Sequence, residues 1–510
     1  MREVLPAGAT SVVSRAGEAR STVSDRPPLA LLAPAALLGF TLWQFLVKAV
    51  LYLRSPFSPD YGEGQVLALI QRMVRDGTFF GDLQRYPMVL SNYPPVYLLL
   101  NVPGFRLFGP SLFQPRLISL LATLALVAFL FALLRRRTGN EWMAASFALL
   151  FFAPWFVQTW AATARIDMLA HMFSMAGFYV FDRLWARAGF RRYLPFLLFG
   201  LGFYTRQTTL VVPAAVLGSL WLEPSQRRDF PRALAAYAGP VLGVLLAMAV
   251  ATRGQAWLHL FPYAAAADYD LAHMARSYGA FLLLCGPLLL LVLAGLVLQP
   301  RALLRGPNLP FTLFWLLSLA GLSTIAKEGA AQNYFIEPYL ATLLLAGIAL
   351  GVLVEARTLA RWLWPAGVLL AAAAATFVDR GQNRLPQAIR APERAHAFIA
   401  LDEAVRATEG PILSENLSVL VVNRRRAWVE PWGLMLLAKE GLWDPTTLVG
   451  DCRRGMFAMV VTETRLREIP GFSECLDEAY EPWKDIGPYQ LFRPKGHPGP
   501  RERILVPSGL

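Results

Sequence analysis

The chain has 510 residues, of which 55% are hydrophobic and only 16% charged, against roughly 25% charged in ordinary soluble domains. That shortage excludes a conventional water-soluble globule, and 32 Phe with 14 Trp suit membrane cores and interfacial belts. The net charge of +13 does not point to nucleic acid, because the arginines fall mostly in short loops between apolar runs, as the positive-inside rule requires.

Residues 1–28 are polar, carry Arg2, Arg15, Arg20 and Arg26, and read as a cytoplasmic tail. The first apolar run is too long for a signal-peptide core and no small-residue cleavage site follows it, so no cleavable signal is expected. A span needs about 20 apolar residues. About eleven runs qualify or come close: 29–53, 115–134, 142–161, 166–182, 193–205, 207–222, 233–251, 278–298, 309–326, 334–354 and 362–378. The fifth and sixth are short, separated only by Thr205 and Arg206, and could form a hairpin that does not fully cross. Basic clusters fall at Arg135, Arg136 and Arg137; at Arg183, Arg187, Arg191 and Arg192; at Arg227, Arg228 and Arg232; at Arg301 and Arg305; and at Arg357 and Arg361. They alternate correctly for a cytoplasmic N-terminus. An odd number of spans then leaves 379–510 outside, beyond a membrane domain over 29–378.

Two long segments lie on the outer side. The first, 54–114, contains a helical stretch at 64–76, with Val66, Leu69, Ile70, Met73 and Val74 on one face, the spacing of a helix lying on the membrane surface. Its second apolar stretch, 96–108, holds Pro103 and Gly104, is too short to span, and reads as interfacial or re-entrant. The other outer segment is 253–278. In the terminal part, 411–422 with the run Leu417–Val422 suggests a buried strand, 456–462 a second strand and 391–407 a helix, together a small α/β domain. Cys452 and Cys475 could pair there in an oxidising compartment. Cys285 lies inside an apolar run.

Ionisable residues at membrane depth are functional candidates by default. Here Asp60, Glu63, Arg165, Asp167, Arg206, Lys327 and Glu328 all fall at outer ends of apolar runs. In Pro59-Asp60-Tyr61-Gly62-Glu63, a carboxylate near the surface can deprotonate an acceptor hydroxyl, but Asp-x-x-Glu before an apolar helix is also a capping box. Asp167 either faces a cavity or serves the start of a helix, with Arg165 reaching headgroups. Arg206 either holds a lipid-linked phosphate or is a turn residue at headgroup level. Lys327 could serve a phosphate, and Asn333 and Tyr334 could bind sugar hydroxyls; otherwise they belong to an ordinary polar loop. His171 reads as a helix-packing residue, and Arg424, Arg425 and Arg426 as a solvated face. No His/Cys/carboxylate set has zinc-like spacing.

The order of these motifs resembles a family. Asp60 to Phe80, then Asn92-Tyr93-Pro94-Pro95-Val96-Tyr97, then Phe108-Gly109-Pro110-Ser111-Leu112 with Arg116, is similar to the first outer loop of multispan GT-C glycosyltransferases. The likeness is to the bacterial branch related to protein O-mannosyltransferases and lipid A aminoarabinose transferases. Arg165-Ile166-Asp167-Met168-Leu169, Tyr204-Thr205-Arg206-Gln207-Thr208 and Lys327 to Tyr339 resemble later segments of that branch. The likeness covers roughly 30–350. It implies a polyprenyl-phosphate–sugar donor entering from the bilayer, and transfer with inversion to a lipid, glycan or protein acceptor on the outer side. An acidic residue of the first loop, Asp60 or Glu63, would be the base. Relatives often carry adjacent Asp-Glu there; Glu63 matches their Glu, Gly62 occupies the Asp position, and Asp60 is displaced by two, with Asp60 slightly favoured. Arg206 and Lys327 would hold phosphate, and Asp167 would orient a substrate. No cofactor is required, although a divalent cation could bind if Asp60, Glu63 and Asp167 came together.

Two rivals use the same residues. A transporter or flippase of a lipid-linked sugar would show related halves and charges near mid-membrane, and neither is evident. A non-catalytic assembly protein would tolerate neutralisation of the outer-end charges.

Overall fold

The computed structural model describes residues 32–58, 60–358, 364–379 and 392–496. The expected tail 1–28, Pro59, Arg361 and the first residues of the expected terminal domain, 380–391, lie outside the described residues.

The apolar runs are helical. In chain order they give α1 (Leu32–Arg54), α4 (Phe113–Thr138), α5 (Glu141–Leu150) with α6 (Trp155–Trp160), α7 (Asp167–Leu184), α8 (Leu194–Phe203), α9 (Val211–Leu222) and α10 (Phe230–Ala251). The helices Leu271–Leu298, Leu309–Gly321, Ile336–Glu355 and Trp364–Asp379 follow. Six stretches among the described residues are long and apolar enough to cross a membrane: Leu32–Arg54, Phe113–Thr138, Arg227–Ala251, Leu271–Leu298, Gly306–Ala326 and Gln332–Glu355. The eleven runs are therefore helices that do not all reach span length. Local chemistry sets their ends. Gly139, at φ 65°, closes α4 in the left-handed region that glycine adopts without a Cβ penalty. Asn140 then opens α5 by accepting from the Met143 amide at 3.0 Å. Phe45, Phe147, Phe151, Phe152, Phe156 and Phe178 are buried in one continuous core.

Two helices lie between the first two long ones: α2 (Tyr61–Asp76) and α3 (Pro95–Phe108). On α3, Leu99, Leu100, Leu107 and Phe108 are exposed, as suits an interfacial piece. The surface-lying reading of the 64–76 stretch is corrected. Residues Gly62 to Arg72 of α2 are all buried, because the helix is covered by the C-terminal region. A Cβ on Gly64 would stand 2.9 Å from the Ser418 amide nitrogen. The capping-box reading also fails: Asp60 sits at the N-cap with no side-chain hydrogen bond to the helix.

The C-terminal region is a four-stranded sheet with helices. Strands β1 (Ile412–Ser414), β2 (Met459–Thr462), β3 (Tyr480–Ile486) and β4 (Tyr489–Pro494) are ordered β1-β2-β4-β3. The β1–β2 pair is parallel, and β4 is antiparallel to both neighbours. The helix read at 391–407 is Pro392–Ala407 and the strand read at 456–462 is β2. The strand expected at Leu417–Val422 is instead a helix. Asn416 accepts from the Val419 amide at 3.2 Å and starts the turn, while the true strand, Ile412–Ser414, ends two positions before it. Short apolar runs carry too little period to separate the two. Cys452 and Cys475 form a disulfide, and Cys285 is buried and free.

Candidate active site

Three carboxylates meet three arginines where the first loop joins the membrane helices. Glu63, fully buried at the start of α2, forms a bidentate pair with Arg116 of α4: Arg116 Nε donates to Oε1 at 2.8 Å and Nη2 to Oε2 at 2.7 Å. The Ala164 amide donates to Oε1 at 2.8 Å and the Ser58 hydroxyl to Oε2 at 3.1 Å. Arg116 also donates to the carbonyls of Tyr52, Ser55 and Phe57, each at 2.6 Å. The pair thus staples the chain leaving α1 onto α4, and it leaves Glu63 no oxygen without a partner.

Asp60 differs. Its side chain is 28% exposed. Its Oδ2 stands 3.4 Å from Arg165 Nη1 and has no hydrogen-bond partner among the described residues. Burial is the largest influence on its carboxyl and raises its pKa above the usual aspartate range; Glu63 adds to this and Arg165 opposes it. The Arg165 guanidinium packs on the ring faces of Trp160 and Tyr93, 5.4 and 5.6 Å from their centroids. It reaches Asp60 across Gly62, where a Cβ would lie 1.2 Å from Arg165 Nη1. The glycine is therefore a space for the guanidinium.

The third pair is Asp167 with Arg206. Arg206 Nη1 and Asn333 Nδ2 donate to Asp167 Oδ1 at 2.7 and 2.8 Å. Arg206 lies 4.9 Å from the centroid of the Tyr334 ring. The second Asp167 oxygen has no hydrogen-bond partner among the described residues. Residues far apart in sequence, from the start of α7, the α8–α9 turn and the loop before Ile336–Glu355, are thereby collected in one cluster.

Lys327 stands apart. Its ammonium donates to the Ala264 carbonyl, and it lines a separate hollow with Asp268, Tyr269, Asp270 and His273. The possible cation trio does not assemble either. No group of three or more His, Cys, Asp or Glu among the described residues could hold a metal. Asp60, Glu63 and Asp167 each face a guanidinium, of Arg165, Arg116 and Arg206 respectively.

A cavity of about 530 Å³ opens between the first loop and the C-terminal region, with Phe57, Asp60 and Tyr61 on one wall and Phe398, Arg465 and Tyr489 on the other. The walls are tied together beside Asp60. The Tyr61 hydroxyl donates to Glu430 and accepts from the Trp432 amide at 3.1 Å. Glu430 also caps the helix Pro431–Lys439, accepting from the Gly433 amide at 3.0 Å. Arg465 lies 4.6 Å from the ring centroids of both Tyr61 and Trp432. Sequence reading missed Tyr61, Glu430 and Arg465. The contacts span some 370 positions, and no local pattern announces them. The stacking of Trp160 and Tyr93 on Arg165 was missed as well.

Residues 92–257 match the family described as dolichyl-phosphate-mannose-protein mannosyltransferase. The structure is similar to that of ArnT from Cupriavidus metallidurans bound to undecaprenyl phosphate, with TM-score 0.58 and 16% identity over 92% of this chain and 99% of that one. The apo state of the same protein gives TM-score 0.58 and 15% identity over 90% and 98%. An oligosaccharyltransferase from Archaeoglobus fulgidus, in a complex with Zn and sulfate, gives TM-score 0.50 and 11% identity over 86% and 71%. Comparison with curated protein sequences gives no significant match. The chain is a multi-pass membrane protein with the fold of GT-C glycosyltransferases, as the order of its motifs implied.

Proposed function

We propose that the protein is a membrane glycosyltransferase that moves a sugar from a polyprenyl-phosphate donor to an acceptor hydroxyl on the extracytoplasmic face, with Asp60 as base. One observation carries this reading. Of the two first-loop carboxylates, Glu63 is consumed by Arg116 and the Ala164 amide, whereas Asp60 keeps an oxygen free of hydrogen bonds and lines a cavity. A base must reach the proton it takes, and the place of Asp60 on the cavity wall supports that role, where the fully buried pairing of Glu63 with Arg116 does not.

The acceptor oxygen loses its proton to Asp60 and bonds to the anomeric carbon. The bond from that carbon to the phosphate oxygen breaks on the opposite face, and the lipid phosphate leaves with the electron pair. A single displacement inverts the anomeric centre. Arg165 and Arg206 supply fixed positive charge for the departing phosphate. Asp167, Asn333 and Tyr334 hold Arg206 in place rather than contacting the acceptor. Lys327, tied to the Ala264 carbonyl, is left out of the phosphate site. The alternating arginine clusters support an N-terminus in the cytoplasm of a cell's inner membrane. The disulfide supports an oxidising, extracytoplasmic location for the C-terminal region.

The test is transfer of labelled sugar from polyprenyl phosphate by the purified protein in vesicles containing envelope acceptors. Wild type should consume donor and give a product of opposite anomeric configuration by NMR. Asp60→Asn should lower the rate by about 10²–10⁴-fold, the usual worth of a positioned base. Full transfer by Asp60→Asn would remove the assigned base; no donor consumption by wild type would remove the reading.

A further inference from the structure

The edge where α2, α3 and the C-terminal region meet carries positive charge that the transferase reading does not use. Asp76, the last residue of α2, pairs with Arg426 at 2.8 Å, which leaves Arg75, Arg106 and Arg424 without an ion pair among the described residues. All three are exposed and they come from three separate parts of the chain. Arg75 Nη2 donates to the Arg424 carbonyl at 2.9 Å. Arg424 Nη2 lies 3.6 Å from where a Cβ would stand on Gly109, the residue that closes α3, and Arg106 is in the last turn of that helix. Arg424 itself holds φ 59°, a left-handed conformation that a non-glycine residue keeps only when its surroundings impose it. Its amide donates to the Val421 carbonyl at 2.9 Å and Arg75 holds its carbonyl, so the turn is fixed with the guanidinium against the end of α3. Exposed apolar side chains stand beside these arginines. Leu107 and Phe108 are 76% and 80% exposed. Phe108 is five positions before Phe113, itself exposed, which opens the span Phe113–Thr138. Arg106 therefore stands off the end of that span opposite Arg135, Arg136 and Arg137, and the bias that gathers basic residues on the cytoplasmic side does not account for it.

We infer that this edge is a docking surface for anionic phospholipid: Leu107 and Phe108 enter the hydrocarbon boundary of the leaflet at that end of the span, while Arg75, Arg106 and Arg424 bind the headgroup phosphates. Apolar side chains below a cationic rim are what an anionic lipid surface holds, and the short link from Phe108 to the span sets the depth. The surface does more than anchor α3. Arg75 belongs to α2 and Arg424 to the C-terminal region, so one patch of lipid charge braces the seam between them. The other end of α3 meets the candidate active site. Tyr93, two residues before the helix, stacks on Arg165 at 5.6 Å, and the Val96 amide donates to the Tyr204 carbonyl at 2.9 Å, two positions from Arg206. Lipid held at the end of α3 thus steadies the arginines at its start. The docking surface is independent of what the site catalyses.

The experiment uses the full chain with Leu107→Cys carrying a bimane probe, in phosphatidylcholine vesicles that contain brominated phosphatidylglycerol or brominated phosphatidylcholine as quencher. Cys452 and Cys475 are joined and Cys285 is buried, so the probe reports one place. Brominated phosphatidylglycerol should quench at a lower share of the lipid than brominated phosphatidylcholine. Arg106→Gln and Arg424→Gln should each weaken that preference by up to about fivefold, the contribution of one arginine near an anionic surface. The double glutamine variant should be quenched equally by both lipids, and Arg106→Lys with Arg424→Lys should keep the preference. Equal quenching before the arginines are changed, or a preference that survives in the double glutamine variant, would overturn the inference. So would the absence of quenching by either lipid, which would put α3 off the bilayer. A preference abolished by inorganic phosphate but not by chloride at equal ionic strength would assign the arginines to a free anion instead. Disulfide cross-linking between unlabelled Leu107→Cys chains in lipid-diluted vesicles would give the face to a second copy.

Discussion

Glu63 and Asp60 stand three positions apart, yet burial and partners give them opposite work. Glu63 and Arg116 are both fully buried and share two hydrogen bonds. Removing one member of such a pair leaves an uncompensated buried charge and costs about 3–5 kcal/mol. Glu63→Gln should therefore lower the unfolding midpoint in detergent, with a loss of folded protein larger than that from Asp60→Asn, whose pair with Arg165 is longer, at 3.4 Å, and partly exposed. Asp60 should dominate the pH profile. Burial raises its pKa, and the base works only when deprotonated. Transfer should therefore fall on acidification at a pH above that of an ordinary aspartate, about 3.9. The same site makes a prediction for Gly62→Ala. Its Cβ would displace the Arg165 guanidinium, the far end of a flexible side chain, so the fold should survive. Arg165 lowers the Asp60 pKa, so its displacement should move the acid limb of the rate profile to higher pH. An unmoved limb in Gly62→Ala would show that Arg165 does not act on Asp60. The identity of these residues was legible from the sequence as ionisable groups at the ends of apolar runs. Which carboxylate was free was not legible, because that depends on Arg116, 53 positions from Glu63.

At the level of elements, α2 decides how the two halves of the molecule meet. Its period is helical and amphipathic, so its existence was plain; the partner for its apolar face was not, since a lipid surface and a protein surface ask for the same pattern. The run Leu417–Val422 is what covers it. Gln71 of α2 donates to the Arg425 carbonyl at 2.8 Å and accepts from the Ala427 amide at 3.0 Å, and Asp76 pairs with Arg426 at 2.8 Å. The three arginines expected on a solvated face thus mark a seam. At its other end sit Tyr61 and Glu430. Burial pushes the Glu430 carboxyl up to about 7, opposed by the Tyr61 hydrogen bond, the Gly433 amide and Arg465. A carboxyl with a raised folded pKa binds more protons folded than unfolded, so its contribution to stability is greatest at low pH and is lost as pH rises through about 7. Amide exchange of α2 and of Pro431–Lys439 should therefore be slower at pH 6 than at pH 8, after correction for intrinsic rates. Glu430→Gln should flatten that difference, and an unchanged difference would place the titrating group elsewhere.

For the whole molecule, orientation in the bilayer follows from charge. The arginine clusters assign sides from charge alone. The chain's thiol chemistry supplies a probe. Cys452 and Cys475 are joined and Cys285 is fully buried, so the native chain among its described residues presents no thiol to a water-soluble reagent. A single cysteine introduced at an exposed position then reports its side without background. Lys484, exposed on β3, should be labelled as Lys484→Cys by a membrane-impermeant maleimide in intact cells or right-side-out vesicles. Arg187, exposed in the turn after α7, should be labelled as Arg187→Cys only after the membrane is opened. The opposite pattern would invert the topology and put Asp60, which shares a cavity with the C-terminal region, on the cytoplasmic face. Labelling of both positions in sealed vesicles would mean that an even number of crossings separates them, so that an odd number of the seven apolar runs between them fails to span.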